Sequence, residues 1–513
     1  MTKSIIIIGA GIAGLSAGCY GQMNGYETQI FELHDKPGGL CTSWKRYGRN
    51  ASAYIFDGCI HWLVGSKSGS GMNSIWQELG ALYGKEIVNH DEFMRYRGPE
   101  GKDFVLYTNV DQLEQHLKEL APTDTRVSAA FCNAIRRMTV LDQIGQTPGL
   151  RGKIKTFFQM IPFMLTMVRY RKTTIKDFAQ RFSDPFLRQA FAATFGMEMP
   201  DFPIIGLMMT LAWMHNKDAG YPIGGSLEFA RAIEKRYLDL GGQIHYKSRV
   251  EKILVEADPA GRTDRAVGVR LIDGREHRAD IVISAADGHA TIFDMLEGKY
   301  VNDTIKGYYD TWPIFQPIIQ VSLGVARDLS QEPHSLICAL TQPIKIAEKE
   351  RSLFTMRHFS YDPTMAPEGK SAILTMFVSD YAYWKALAEN QERYEAEKKD
   401  IAIKVIEQVE QHYPGITDQV EVVDVATPLT YERYTGNWQG SMEGWMITTE
   451  TMGMAFGKGM DKTLPGLENF HMIGQWVQPG GGLPPAAESG RKVIGMICKQ
   501  DEKEFQTSLP PAL

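Results

Sequence analysis

The chain has 513 residues, 43% hydrophobic and 23% charged, with 55 Lys and Arg against 61 Asp and Glu for a formal net charge of -6. At roughly 150 residues per domain that is length for several buried cores, and the composition excludes wholesale disorder. The charge balance leaves no electrostatic footprint for nucleic acid, and six scattered cysteines without a CxxC pair exclude a zinc ribbon, a dithiol centre and a disulfide scaffold.

The N-terminal run Ile5-Ile6-Ile7-Ile8 is β-branched and wholly apolar, as a parallel strand buried on both faces requires. It leads into a glycine turn rather than a cleavage site, so it does not read as a signal peptide. With no apolar run of about 18 residues, the expectation is a reduced, cytoplasmic chain that spans no bilayer. Gly9-Ala10-Gly11-Ile12-Ala13-Gly14 follows, then a helix from Leu15 to about Asn24 and a second strand, Thr28-Gln29-Ile30-Phe31, ending in Glu32. This order predicts a dinucleotide site. Gly9 makes the tight turn, and Gly11 lets a pyrophosphate reach the backbone amides of Ile12 and Ala13 at the helix N-terminus. Gly14 lets the helix pack closely on the sheet, and Glu32 accepts from ribose hydroxyls.

Pro37-Gly38-Gly39-Leu40-Cys41-Thr42-Ser43 comes next, offering bare amides at Gly38, Gly39 and Leu40 and a hydroxyl at Thr42. The arrangement resembles the extended FAD fingerprint of the amine oxidase and phytoene desaturase superfamily. A second GxGxxG after a strand is missing, so a built-in NAD(P)H domain is not expected. In Asp57-Gly58-Cys59-Ile60-His61-Trp62, Asp57 reads as structural. His61 reads either as a proton-transfer group near a flavin edge or as a loop anchor.

Residues 160–214 hold eight of the 24 methionines, at Met160, Met164, Met167, Met197, Met199, Met208, Met209 and Met214. Residues 151–190 carry nine Lys or Arg and two Asp, a local charge of +7. Phe157 to Leu165 is apolar, interrupted at Pro162 and flanked by Lys153, Lys155, Arg169, Arg171 and Lys172. Flexible, polarizable Met suits a long apolar ligand, and an apolar segment with basic flanks suits a peripheral anionic membrane surface. Core packing and an ordinary solvated basic run are the competing readings.

Gly220 to Ser226, with the Gly224-Gly225 pair, opens a helix over Leu227 to Leu240, and Gln243 to Tyr246 begins a strand. Arg249 to Ile253 reads as the strand whose Val250 backbone faces adenine, and Ala279 to Ala285 as another buried strand of the nucleotide sheet. Ile318 to Leu323 and Ala372 to Val378 read as strands of a second domain, and residues 390–412 as an exposed charged helix. Phe470 to Gln475 is a short strand ending near Gly474. Pro479-Gly480-Gly481-Gly482-Leu483-Pro484-Pro485 then feeds a helix from about Ala486 to Lys499. The amides and positive dipole there suit the N1/O2 edge of a reduced flavin, and Pro485 suits a first helical turn.

Together Gly9 to Gly14, Glu32, Gly38-Gly39, Gly224-Gly225, Gly480 to Gly482 and the segment Thr427 to Ser441 with Arg433 resemble the phytoene desaturase, carotenoid isomerase and retinol saturase family. The stretch Tyr47 to Tyr54 looks longer than that family's. The resemblance implies an α/β chain: a discontinuous Rossmann-type FAD domain (1–65, 216–290 and 451–513) with an interleaved α+β substrate domain (66–215 and 291–450), membrane-facing over about 151–215. It implies FAD, an external electron acceptor or donor, and desaturation, saturation or cis–trans isomerisation of a hydrophobic polyene or isoprenoid. Amine oxidase or monooxygenase chemistry, and a non-catalytic lipid carrier like the Rab escort proteins, are the alternatives on this fold. His61, Arg433 and Glu488 are the candidates for catalysis; a salt bridge for Arg433 and helix capping for Glu488 are their bland readings. No metal-ligand pattern is present in the sequence.

Overall fold

The strand Ser4–Ile8 sits at the centre of a five-stranded parallel sheet, and the computed structural model describes residues 2–140, 150–195, 201–455 and 459–511 of the chain. Glu27–Phe31 and then Gln243–His245 lie to one side of it, and Ile281–Ser284 and then Phe470–Met472 to the other. Its isoleucines serve two cores. Ile5 and Ile7 pack under the helices Ile12–Met23, Gly225–Asp239 and Leu483–Gln500, while Ile6 and Ile8 face the three-stranded antiparallel meander that begins at Val250–Glu256. Burial on both faces is why this strand reads as an unbroken apolar run. The strand order reverses between Ser4–Ile8 and Ile281–Ser284. Ligands of open α/β sheets bind beyond the carboxyl ends of the strands at such a switch point.

A second, seven-stranded sheet runs in the order Val420–Ala426, Ile318–Val325, Ser371–Val378, Lys349–His358, Ser335–Ile346, Glu92–Arg97, Asp103–Tyr107. Only Ser335–Ile346 with Glu92–Arg97 pairs in parallel. The charged helix expected over 390–412 is Gln391–His412; it is not wholly exposed, because Ile401, Val405 and Val409 bury one face on this sheet. The stretch Tyr47 to Tyr54 is the tip of a hairpin, Ser43–Tyr47 with Ala53–Asp57, whose Trp44 and Arg46 bond Asp424 of the second sheet at 2.9 and 2.7 Å.

The Met-rich region is a helical layer. Pro162 does not break it: the helix Leu150–Tyr170 runs through, with Pro162 exposed. Met208 and Met209 are buried on Ile204–His215, and Met160, Met167 and Met214 pack against the same core. Met164 is 54% exposed. Met197 and Met199, and the side chains of Lys153, Lys155 and Phe157, lie outside the described residues. Among the described residues no helix is long and apolar enough to cross a membrane.

Candidate functional site

The turn after the first strand closes with Gly9 at φ +98°. A Cβ on Gly14 would stand 2.0 Å from the Gly9 carbonyl oxygen, so the helix can sit this close only with glycine there. The second glycine pair docks on the first. Gly38 donates its amide to the Ala10 carbonyl at 2.9 Å, and a Cβ on Gly39 would lie 3.4 Å from the Gly11 Cα. No side chain caps the helix Ile12–Met23, which leaves the amides of its first turn, with Ala13 and Gly14, facing the strand ends.

Glu32 is 6% exposed, its Oε2 accepting from the Ala10 amide at 2.7 Å and its Oε1 from the His34 amide at 2.8 Å. Burial pushes its carboxyl up and these amides pull it back. Ser248 donates its amide to the Glu32 carbonyl at 2.8 Å, which sets Val250, buried against Phe31, beside the second strand end. Leu40 packs against the cluster of Ile318, Val378, Ala426 and Tyr431, and the Thr42 carbonyl accepts from the Gly58 amide at 3.0 Å. The Gly38–Thr42 loop thus bridges the two sheets.

Gly474, at φ +91°, lies 3.5 Å from the Ala13 Cβ by its own virtual Cβ, and donates its amide to Ser489 Oγ at 2.9 Å. Gly481 and Gly482 also hold positive φ, and the helix Leu483–Gln500 begins three residues before the expected start, again with no side-chain cap. Its Pro484 and Pro485 occupy the first turn, as the missing amide favours. Two uncapped helix N-termini therefore converge at one end of the parallel sheet.

That earlier start corrects one expectation. Glu488 is past the first turn and ion-pairs with Lys492 at 3.0 Å, so it neither caps the helix nor faces the glycine turn as a free carboxylate. Arg433 also falls away from the site: it is exposed on Pro428–Thr435 with its guanidinium 4.8 Å from the Tyr434 ring centre. His61 instead lines a cavity with Trp62, Phe93, Met214, His334 and Arg357, and its Nε2 has no hydrogen-bond partner. Burial, then the Arg357 guanidinium, holds its pKa well below the ordinary value, so its imidazole is neutral at physiological pH.

Sequence reasoning missed Glu443. A Cβ on Gly481 would come 2.7 Å from its Oε2, which places this carboxyl at the last glycine turn, between Ser441 and Trp445. Burial pushes its pKa up to about 7. An acid among Gly440, Ser441, Gly444 and Trp445 was the available signal. The folded pKa near 7 exceeds the unfolded 4.5, so the stability tied to the protonated form is complete below about pH 4.5 and lost as pH rises through 7. Glu443→Gln cannot ionise. Between about pH 5 and about pH 8, wild type is expected to lose about 2 kcal/mol relative to this variant, read by chemical denaturation.

The residues present fit FAD: uncapped helix amides for the pyrophosphate, a buried acid at the end of the second strand, and a second uncapped helix at the glycine turn 480–482. A Cβ on Gly11 would meet only the Gly38 carbonyl oxygen, at 4.0 Å, so the turn leaves space at that point.

The chain matches the family model of flavin containing amine oxidoreductases over residues 12–493. It is 24% identical to a chloroplastic prolycopene isomerase of Arabidopsis thaliana, over 94% of this chain and 81% of that one. It is 23% identical to the neurosporene-forming phytoene desaturase of Rhodobacter capsulatus, over 96% of this chain and 93% of that one. A crystal structure of an oxidoreductase from Methanosarcina mazei shares the fold, with a TM-score of 0.60, 18% identity and coverage of 96% and 100%. The chain is thus an oxidoreductase whose cofactor is FAD, and it belongs to the flavin containing amine oxidoreductase family.

Proposed function

We propose that this oxidoreductase acts on C–C single or double bonds of a hydrophobic polyene or isoprenoid, by desaturation, saturation or cis–trans isomerisation. The observation that carries the reading is similarity running through nearly the whole chain to two proteins named for prolycopene isomerisation and phytoene desaturation. Bound FAD supplies the redox step. The five-stranded sheet serves as the cofactor domain and the seven-stranded sheet with its helical layer as the substrate domain. Glu443 holds a proton near neutral pH at the glycine turn, Trp445 and Trp476 (ring centres 5.2 Å apart) exclude water beside it, and electrons pass to or from an external partner. Mass spectrometry of carotenoid, retinoid, quinone and fatty-acid pools incubated with the flavin-loaded enzyme, in air and under reduction, tests this. A converted polyene is expected; conversion of amines alone would sink it.

The helix Leu150–Tyr170 supports delivery from a membrane. Ile161, Met164, Leu165 and Val168 follow helical spacing and are 40%, 54%, 62% and 60% exposed, and the exposed Arg169, Arg171 and Lys172 follow them. An apolar stripe with basic neighbours suits the acyl and headgroup layers of an anionic bilayer. Vesicles containing anionic lipid are expected to retain the protein at low salt, and Leu165→Glu with Val168→Glu to weaken retention by at least about tenfold. Equal retention on neutral vesicles would count against the basic contribution.

A further inference from the structure

An open cleft of about 310 Å³ enters the second sheet beside His90, His334, His358 and Tyr361, and His90 and His334 also line a cavity of about 20 Å³, room for one small polar group, together with His61 and Arg357. His90 and His334 stack at the junction, ring centres 3.8 Å apart and 10° from coplanar, with Tyr361 edge-on to His90 at 4.4 Å. Pairing of Ser335 with Arg357 in adjacent strands puts the guanidinium next to His334. Arg357 is partly buried and has no carboxylate partner among the described residues; its one hydrogen bond is to Ser335 Oγ at 3.4 Å. Three further polar atoms there, His61 Nε2, His90 Nε2 and the Tyr361 hydroxyl, are buried and unpartnered. The acids lining the cleft are engaged elsewhere or lie outside: Glu92 pairs with Arg95 at 2.5 Å, and Asp91 and Glu332 are exposed.

A partly buried guanidinium without a carboxylate partner favours an anion beside it, and buried imidazole and hydroxyl atoms without partners call for a polar ligand. We infer that Arg357, with His61, His90, His334 and Tyr361, binds the carboxylate terminus of an apolar chain. This deepens, and rests on, the polyene or isoprenoid reading by making the substrate or product an acid. One guanidinium fork matches one carboxylate. Burial, with Arg357, holds His90 at about 4 and His334 well below its ordinary value, so the histidines enter as neutral donors and the site carries a single positive charge. A diphosphate would call for several.

The test is binding to the flavin-loaded enzyme, read by tryptophan quenching, with all-trans-retinoic acid, its neutral alcohol and inorganic phosphate as probes. The acid is expected to bind at least tenfold tighter than the alcohol. Arg357→Met should erase that preference by weakening the acid far more than the alcohol, and phosphate should not compete. Equal affinities in wild type, no binding of the acid, an undiminished preference in Arg357→Met, or displacement by phosphate would each overturn the inference. Should Arg357→Met fail to fold, Arg357→Gln carries the same comparison. Acid selectivity dependent on Arg357, without conversion of any polyene, would leave this site standing and defeat the proposed redox substrate.

Discussion

Gly14→Ala is expected to purify without the yellow colour of bound flavin, with FAD affinity reduced by at least about a hundredfold. Conformation is not the obstacle, since this residue lies within the helix Ile12–Met23. The obstacle is contact: the new methyl would stand 2.0 Å from the Gly9 oxygen and 3.3 Å from the Ala285 Cβ. Neither neighbour can yield cheaply. Gly9 donates its amide hydrogen to the Phe31 carbonyl at 2.8 Å, and its virtual Cβ lies 3.4 Å from the Ala285 backbone. The helix would have to lift, but Gly18 packs it on Tyr237 and Gly490 packs the last helix against Ala13 and Ala17. Lifting it therefore disturbs both uncapped N-termini at once. Gly307→Ala is the control, a helical glycine whose Cβ would meet nothing within 4 Å. It should keep its flavin and gain up to about 1 kcal/mol from helix propensity. Flavin absorbance after gel filtration and FAD titration of the stripped proteins give the readout. Full flavin content in Gly14→Ala would refute the packing role assigned to this glycine.

The nucleotide half of this protein was legible because its signals are local. A strand buried on both faces must be apolar throughout, and the Gly9–Gly14 turn must be small where backbones approach, so Ile5 to Ile8 and the glycines carry their own explanation. Glu32 follows by spacing. The second half depends on partners distant in sequence. Arg357, His334 and His90 meet only because Ser335–Ile346 pairs with Lys349–His358 on one side and with Glu92–Arg97 on the other. No window of sequence contains that meeting. Glu488 was misread for a smaller reason: starting the last helix at Leu483 moved it out of the first turn and into register with Lys492. Methionine count was blind to direction. Met164 faces outward and Met208 inward in one helical layer, so a single compositional excess covers both core packing and the exposed stripe.

Asp57→Ala is expected to destabilise the protein by about 3–5 kcal/mol, because it strips the acceptor from a knot joining three parts of the chain. Asp57 is fully buried. Its Oδ2 accepts from the Ser226 amide at 2.7 Å, and its Oδ1 from the Ser226 hydroxyl at 2.5 Å and the Cys59 and Ile60 amides at 2.9 and 3.2 Å. These bonds fix the segment leading to His61 onto the start of Gly225–Asp239, whose positive end favours the carboxylate. The Asp57 backbone carbonyl accepts from Gln320 Nε2 at 3.1 Å, and Gln320 Oε1 accepts from Tyr431 at 2.9 Å, which carries the tie into the second sheet. Space is equally committed, for a Cβ on Gly225 would fall 2.4 Å from Oδ2. Alanine leaves three amides and a hydroxyl without this acceptor. Asparagine keeps one oxygen but turns an amino group toward donors, so Asp57→Asn should fall between wild type and alanine. Because the knot touches both sheets, the loss should appear in the same unfolding transition for flavin release and for tryptophan fluorescence. Two separated transitions, or a loss below about 1 kcal/mol, would show that the sheets are not coupled through Asp57.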